Sequence, residues 1–245
     1  MAQWISSEVL QRFDPLAVSP LARDRTCYYF CKRVLDWIVA ALALAILLPL
    51  MALIAVLIVI DSPGPVIFVQ KRVGARRWCR KGYSYWKQNT FNFYKFRTMV
   101  CSADPSSHRA FVTAFIMGRV ETSNPNGTEY KLTRDRRVTR IGRILRKTSL
   151  DELPQLVNVL KGDMSLIGPR PAMPYEVDLY HECHMCRFQI YSGITGWWQV
   201  RGRSRVSFDE MCRLDTYYIE HASLSLDLKI LLLTPWAVIS GRGAD

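Results

Sequence analysis

Two adjacent carboxylates, Asp151 and Glu152, directly follow the most basic run of the sequence, residues 134–147. Paired acids beside clustered arginines suggest a site that handles anionic oxygens, with a metal ion between them. The alternative is a helix capping box, because Ser149 and Glu152 have the spacing at which a glutamate bonds back to the helix start. The local pattern alone favours neither interpretation.

Pro154 bears on where the next helix begins. If Ser149 were the N-cap, Pro154 would fall beyond the first turn and the helix would lose a hydrogen bond. A helix that begins near Asp151 keeps Pro154 in its first turn, where the missing N–H matters little. A carboxylate at this helix start would be stabilised as an anion, available as a nucleophile or metal ligand, and the free N–H groups would attract phosphate. The same helix is expected to stop at Gly162.

The residues before the acidic pair predict an amphipathic helix over residues 135–147. Val138, Ile141 and Leu145 recur at i, i+3 and i+7, and basic side chains line the other side. Such a pattern is typical of a surface helix, and in a membrane protein it favours contact with anionic headgroups. Arg146 is the cation nearest the acidic pair and is a candidate phosphate ligand.

A long uncharged apolar run, residues 37–60, predicts a membrane helix. A straight helix of this length would measure roughly 36 Å, enough to cross a bilayer. Pro49 lies at its middle, where proline tends to kink a helix. Basic residues flank both ends, which favours the cytoplasmic side for each of them. Two topologies stay open: a re-entrant helix with both ends on one face, and a single crossing.

Short strands are predicted after the apolar run. Residues 66–70 and the aromatic stretch 83–99 have strand-like composition. Lys95 and Arg97 would share one face of the second strand, a pattern that most often marks a solvated face. A short helix is expected over residues 110–118.

The charge of the whole chain indicates an anionic partner. Its 245 residues include 33 Lys and Arg against 21 Asp and Glu, a formal net charge of +12. The main alternative to catalysis is a membrane-anchored basic module that binds anionic lipid or RNA. The sequence carries no RNA-recognition strand motif, so we expect no nucleic-acid partner. Seven scattered cysteines favour a reducing compartment.

Four motifs, in order along the chain, resemble the signature of the bacterial sugar transferase family. They are SPGPV (62–66), YKFRTM (94–99), SLDELPQLVNVLKGDMSLIGPRP (149–171) and GITGWWQVRGR (193–203). The resemblance covers roughly residues 30–240. Members of this family are monotopic polyprenyl-phosphate phosphoglycosyl transferases, which begin the assembly of exopolysaccharides, O antigens and other glycans.

The resemblance implies transfer of a sugar 1-phosphate from a UDP-sugar to polyprenyl (undecaprenyl) phosphate, with release of UMP. Asp151 would attack the phosphate that bears the sugar, and polyprenyl phosphate would then attack the resulting phosphosugar-aspartate. Glu152 would help to hold the metal or act as a base in the second step. The implied cofactor is Mg²⁺, held by Asp151 and Glu152.

The resemblance also implies the binding residues and the shape of the membrane helix. The cations expected to meet phosphate or nucleotide are Lys95, Arg97, Arg146, Arg170, Arg201 and Arg203. The family's apolar segment is re-entrant and broken near a Ser-Pro pair; here the proline matches Pro49, but Leu48 precedes it. Pro49 and Pro154 are therefore expected to be structural.

The expected architecture is a mainly helical α+β fold. It comprises an N-terminal segment (1–30), a membrane helix bent near Pro49 (31–61) and a cytoplasmic catalytic domain (62–245) with interfacial helices and a small sheet or hairpin. The implied location is the cytoplasmic face of the bacterial inner membrane. Besides its substrates and the phospholipid bilayer, the expected partners are a second copy in a homodimer and downstream glycosyltransferases. Neither the sugar nor the glycan pathway follows from the sequence.

Overall fold

The computed structural model describes residues 25–80, 83–101, 106–119, 135, 137–201 and 206–239. The fold is α+β and mainly helical, as predicted. Two 3₁₀ segments, Leu150–Glu152 and Glu182–Phe188, interrupt the regular elements. In chain order these elements are α1 (Thr26–Asp61), β1 (Ile67–Arg80), β2 (Tyr83–Phe96), α2 (Ser106–Ile116), α3 (Arg140–Thr148), α4 (Gln155–Lys161), β3 (Ser165–Ile167), α5 (Pro174–Val177), β4 (Gly193–Thr195), α6 (Trp197–Arg201), α7 (Phe208–His221) and α8 (Leu224–Ile239).

Helix α1 contains 36 residues, with Pro49 inside it. By length and composition it can cross a membrane: its most apolar window has a mean hydropathy of 3.2. Only 11% of that window is buried against the rest of the protein, whereas the core helix of a soluble protein would be mostly covered. Ile46 and Leu48, near the middle of the helix, are 74% and 60% exposed. The apolar surface of α1 therefore needs a cover that the described chain does not supply.

Both ends of α1 contact the same body of the protein. Near its start, the Arg33 guanidinium donates to the carbonyl oxygen of Met164 at 2.7 Å. Near its end, Ile58 is buried in a cluster with Phe96 of β2 and Leu145 of α3. The helix thus leaves the folded body and meets it again before the chain enters the hairpin.

A buried ion pair joins the first and last described helices. Lys32 Nζ lies 2.9 Å from Asp227 Oδ2 on α8, and the two side chains are only 2% and 9% exposed. The hydroxyl groups of Tyr28 and Tyr218 also donate to the Asp227 carboxylate. These hydrogen bonds satisfy the buried carboxylate, so the pair fixes α8 beside the start of α1.

Strands β1 and β2 form an antiparallel hairpin. Their pairing extends from Ile67 opposite Phe96 to Arg80 opposite Tyr83. The prediction of a first strand limited to residues 66–70 was too short. Exposed basic side chains in the outer half of β1 break the apolar alternation that marks a strand in sequence.

A short parallel sheet, β3 beside β4, lies in the main core. Ser165 pairs with Gly193, and Ile167 pairs with Thr195. The chains approach so closely here that a Cβ on Gly168 would lie 2.1 Å from the carbonyl oxygen of Tyr191. This contact gives a packing reason for the glycines in the last two family motifs.

Helix starts differ from the predictions in four places. Helix α1 begins at Thr26, five residues before the predicted start at residue 31. Helix α3 begins at Arg140 rather than near residue 135, because Thr139 Oγ1 caps it by accepting from the Gly142 amide. Helix α2 begins at Ser106, four residues before the predicted start. Helix α4 begins only at Gln155, and a separate 3₁₀ turn contains the acidic pair.

Two further expectations have clear outcomes. Helix α4 ends as predicted, with Gly162 at a left-handed φ of 87°. Paired tryptophans are often found in the aromatic belt of a membrane protein, but Trp197 and Trp198 are 6% and 5% exposed and belong to protein clusters. They pack inside the protein because α6 is covered by α7 and α8.

Candidate active site

The acidic pair lies on a 3₁₀ turn between α3 and α4. Ser149 ends α3 in the left-handed region, with a φ of 56°, and its side chain makes no capping hydrogen bond to the turn that follows. The capping-box interpretation is therefore wrong. Pro154 instead occupies the N-cap position of α4, where its lack of an N–H costs nothing. Asp151 and Glu152 are thus held by a turn between two helices, and their side chains are left for other contacts.

Glu152 is clamped by two cations from distant parts of the sequence. Lys95 Nζ and the Arg170 guanidinium each lie 3.1 Å from Glu152 Oε1. Lys95 reaches this point because it shares a face of β2 with Phe93, which is buried in the core. Arg170 lies in the segment that follows β3. The three side chains are about one-fifth exposed, so the clamp faces an opening rather than the core.

Asp151 is more buried and less tightly paired. Lys95 Nζ lies 3.7 Å from Asp151 Oδ2, and the residue is 7% exposed. Burial raises the pKa of Asp151; the charge of Lys95 opposes this shift, while the neighbouring Glu152 carboxylate adds to it. Burial would also raise the pKa of Glu152, but the charges and hydrogen bonds of Lys95 and Arg170 outweigh it and lower that pKa. The two carboxylates therefore differ in environment, with Glu152 the firmly ionised partner.

Arg146 is a further cation whose charge acts on Asp151. Its Nε donates to Thr98 Oγ1 at 2.9 Å, which fixes the side chain of α3 against the end of β2. Burial lowers the pKa of Arg146, whereas the negative charge of Asp151 raises it. The structure thus brings together the predicted residues Lys95, Arg146, Arg170, Asp151 and Glu152. Their binding of phosphate stays a prediction.

Arg97 has a structural environment instead of the predicted phosphate-binding one. It is 5% exposed, and its guanidinium donates to the carbonyl oxygens of Ser62 and Pro63 at 2.6 and 2.7 Å. These bonds hold the turn that links α1 to β1. The sequence predicts that Lys95 and Arg97 share one strand face. Because β2 ends at Phe96, Arg97 lies beyond the strand, and the two side chains contact different parts of the protein.

Arg201 has no described contact with the acidic pair. The Arg201 guanidinium lies 4.7 Å from the ring centroid of Trp197, a cation–π contact within α6. Arg203 lies outside the residues that the structure describes. Pro49, predicted to be structural, lies inside α1.

Two groups near the site escaped sequence analysis. The buried Arg72 donates from Nη1 to the carbonyl oxygen of Pro171 at 3.2 Å, next to Arg170. Burial and the charges of Arg72, Arg146 and Arg137 lower the pKa of His108 to about 4. Neither residue belongs to one of the four sequence motifs. The fold brings them near the acidic pair, because Arg72 lies on the hairpin and His108 lies on α2.

The carboxylates fit a hard divalent cation shared with a substrate. Among the described residues, no group of three or more His, Cys, Asp or Glu side chains could hold a metal by itself. Asp151 and Glu152 supply oxygen ligands, and Mg²⁺ commonly takes one or two carboxylates together with substrate phosphates and water. The donor set therefore suits Mg²⁺ better than a metal held by the protein alone.

A family model for bacterial sugar transferases matches residues 27–241. The chain belongs to this family. The resemblance seen in the sequence motifs is thereby confirmed, over nearly the whole described chain of this sugar transferase.

Several curated bacterial proteins are similar to this sugar transferase. Galactosyl transferase CpsE of Streptococcus agalactiae is 39% identical over 243 residues, which cover 98% of this chain and 49% of the relative. A UDP-N-acetylgalactosamine-undecaprenyl-phosphate N-acetylgalactosaminephosphotransferase of Aeromonas hydrophila is 39% identical over 89% of this chain and 45% of the relative. Exopolysaccharide production protein ExoY of Sinorhizobium fredii is 36% identical over 87% of both. The chain thus spans about half the length of the first two relatives and most of the third.

Proposed function

We propose that the protein transfers a sugar 1-phosphate from a UDP-sugar to polyprenyl phosphate and releases UMP. The observation that carries this proposal is the arrangement around Asp151: a buried carboxylate on whose pKa the charges of Lys95, Arg146 and Arg170 act, beside a Glu152 that two of these cations clamp. Phosphoryl transfer chiefly requires a positioned nucleophile and positive charge around the phosphate oxygens. This site offers both, and the printed name of the Aeromonas relative pairs the same two substrate classes.

In the first step, an Asp151 carboxylate oxygen attacks the phosphorus that bears the sugar. The new bond joins Asp151 oxygen to that phosphorus, and the bond to the bridging oxygen breaks, so that UMP leaves with its electron pair. Lys95, Arg146 and Arg170 neutralise charge on the phosphate oxygens. The incomplete pairing of Asp151 suits a nucleophile, since a carboxylate held by two close cations is less reactive.

In the second step, a phosphate oxygen of polyprenyl phosphate attacks the same phosphorus. The bond to Asp151 breaks, which restores the carboxylate and yields polyprenyl diphosphate sugar. Glu152 holds Lys95 and Arg170 in place throughout; because these cations lower its pKa it stays ionised, so the incoming phosphate attacks as the dianion. Mg²⁺ bound by Asp151 and Glu152 would supply further positive charge on the phosphate oxygens.

A membrane location for the reaction follows from the lipid acceptor. We propose that α1 is re-entrant, because Arg33 near its start and Ile58 near its end contact one folded body. Helix α8 presents a second apolar stripe, which suits an interfacial helix, at Leu224, Leu228, Leu232 and Trp236. Both features support attachment to the cytoplasmic face of a bacterial inner membrane, where UDP-sugars are available.

The leaving group provides the deciding experiment. The full chain, purified in detergent, is incubated with undecaprenyl phosphate, Mg²⁺ and a panel of UDP-sugars, and the nucleotide products are separated. We expect UMP with one UDP-sugar, which also identifies the sugar. Release of UDP would contradict the proposal, and so would failure of every UDP-sugar when the same preparation of a relative such as ExoY is active.

A further inference from the structure

An exposed aromatic side chain lies directly across the hairpin from Lys95. In the antiparallel register of β1 and β2, Phe68 is the partner of Lys95. Residues that stand opposite each other in such a pair project from the same face, with their Cβ atoms roughly 5 Å apart. Phe68 therefore lies on the hairpin face from which Lys95 reaches Glu152 at 3.1 Å. Neither proposed step of the reaction uses this ring.

This face of the hairpin changes from buried to exposed at Phe68. Farther along the same face, Phe93 of β2 is 1% exposed and Arg72 of β1 is 5% exposed. Phe68 itself is 48% exposed, and within the described part of the chain it belongs to none of the apolar clusters. The fold thus leaves a large apolar side chain uncovered beside the clamp.

The uncovered apolar surface of α1 ends next to the same position. Ile60, in the last turn of α1, is 76% exposed. Ile58 packs in one cluster with Phe96, and Phe96 pairs across the hairpin with Ile67. Phe68 therefore lies at the end of the hairpin that is nearest to the end of α1. Lipid-facing helix, exposed ring and cationic clamp follow one another in that order.

The polyprenyl acceptor has the chemistry that matches this order. Its phosphate is joined directly to a long isoprenoid chain, so an anionic group and an apolar group lie side by side. In the proposed second step this phosphate attacks the phosphorus that Lys95 neutralises, and the first isoprene unit must then lie close to Lys95. The donor carries only polar groups, ribose and sugar, next to its phosphates. A ring beside a cation therefore complements the acceptor better than the donor.

We propose that Phe68 binds the first isoprene units of the polyprenyl acceptor while Lys95 attracts its phosphate. This inference rests on the proposed function and assigns one residue to the selection of a lipid acceptor. The ring contributes apolar contact to the acceptor, whereas the attack of Asp151 on the UDP-sugar does not involve it. Contact with bulk phospholipid alone, or stacking of the ring on the uracil base, would be a different use of the same side chain.

Photo-crosslinking tests the contact without requiring turnover. A photoreactive benzoylphenylalanine replaces Phe68 in the full chain, which is irradiated with undecaprenyl phosphate in detergent that also contains excess phosphatidylglycerol. We expect mass spectrometry to find an undecaprenyl phosphate adduct at position 68. Val69 is the matched control position, because it is 50% exposed but projects from the opposite face of the hairpin. Equal labelling at both positions, or phosphatidylglycerol adducts that undecaprenyl phosphate does not suppress, would overturn the proposal.

Steady-state kinetics then separate the acceptor from the donor. Phe68→Ala should raise the KM for undecaprenyl phosphate about tenfold, through the loss of apolar contact. The KM for the UDP-sugar and the burst of UMP without acceptor should stay as in the wild type. Phe68→Leu retains an apolar side chain without the ring, so it should recover most of the acceptor affinity. Val69→Ala should behave as the wild type.

Two kinetic results would contradict the acceptor contact. One is an unchanged KM for undecaprenyl phosphate in Phe68→Ala, with an unfolding temperature equal to that of the wild type. The other is a raised KM for the UDP-sugar that Phe68→Leu does not recover, which would indicate stacking on the base. If no UDP-sugar yields UMP, the proposed function fails, whereas the adduct at position 68 still decides whether Phe68 contacts the acceptor.

Discussion

At the scale of single residues, the main feature is the difference in environment between the neighbouring carboxylates of Asp151 and Glu152. Glu152 is bound by Lys95 and Arg170 at 3.1 Å, whereas Lys95 lies 3.7 Å from Asp151. Adjacent residues of the same charge thus acquire different roles because the 3₁₀ turn directs them to different neighbours. In the proposed mechanism, Glu152 positions the cations and Asp151 supplies the attacking oxygen.

The variant Asp151→Asn tests the nucleophile. Loss of the attacking oxygen should reduce UMP release on the order of a thousandfold, measured with saturating UDP-sugar. The amide has the same size, so the thermal unfolding temperature should stay close to that of the wild type. The matched variant Glu152→Gln should also lower the rate, but it should still accumulate the covalent phosphosugar adduct. A fully active Asp151→Asn protein would refute the covalent mechanism.

The acid limb of the pH profile should report Asp151. Because burial raises its pKa, kcat/KM for the UDP-sugar should fall on acidification at a higher pH than an ordinary aspartate near 3.9 would give. Lys95 lowers this pKa, so Lys95→Gln should move the limb to still higher pH. Lys161→Gln removes a nearby lysine that binds Tyr94 instead, and it should leave the limb in place. A limb that moves to lower pH in Lys95→Gln would contradict this assignment.

At the scale of elements, the active site is assembled by the ends of helices and strands. Ser149 terminates α3 in the left-handed region, and the hairpin delivers Lys95 from the last residues of β2. The Gly168 contact with Tyr191 closes the β3–β4 unit, from which Arg170 extends. Small changes in these junctions should therefore affect the site more than changes within the helices.

The variant Gly168→Ala should test the tight junction between β3 and β4. Its new methyl group would lie 2.1 Å from the Tyr191 carbonyl oxygen, so the backbone must move. We expect a loss of about 1–3 kcal/mol in the free energy of unfolding, measured by chemical denaturation. Gly118→Ala, at a glycine with a φ of 65° and open space around it, controls for backbone strain alone. Equal losses in both variants would argue against the close contact.

The turn between α1 and β1 offers a second test at this scale. Arg97→Ala removes a buried guanidinium that holds the Ser62 and Pro63 carbonyl groups, and should cost about 2 kcal/mol of stability. Its KM for the UDP-sugar should change little, because Arg97 serves the turn. Arg170→Ala should do the opposite and raise that KM with a smaller effect on stability. A large KM effect in Arg97→Ala, without destabilisation, would restore its predicted phosphate role.

Sequence patterns predicted individual helices and site residues better than the points where helices begin or distant segments meet. Apolar composition predicted α1, the motifs identified Lys95 and Arg170, and the basic run before the acidic pair identified Arg146. The helix starts at Arg140 and Gln155 were missed, since they depend on the caps at Thr139 and Pro154. Arg72 and His108 were missed for a related reason. Their significance comes from contacts between distant segments, which periodicity and spacing do not reveal.

At the scale of the whole molecule, the exposed apolar surface of α1 joins the site to a lipid phase. Both ends of the helix contact the body that contains the acidic pair. In the proposed reaction, a polyprenyl chain in the membrane would present its phosphate to the site without leaving the bilayer. This arrangement makes the position of the helix ends relative to the membrane a central property of the protein.

Thiol labelling should show on which side these ends lie. Cys27 is exposed in the first turn of α1, and Cys101 is exposed beyond the hairpin. In variants that keep one of these cysteines, an impermeant maleimide should label both in inverted membrane vesicles and neither in intact spheroplasts. Labelling of Cys27 in spheroplasts would indicate a single crossing and would rule out the re-entrant helix.

The buried pair of Lys32 and Asp227 has a consequence for how the protein is made. The ribosome synthesises Lys32 long before Asp227, so the ammonium group cannot pair with its carboxylate until the intervening chain has been made. An unpaired charge in that position opposes burial, and α1 cannot settle against the body until α8 has been synthesised. Helix α1 is therefore synthesised well before α8 but completes its packing only after α8 is available, so the docking of α8 is expected to be a late step in folding.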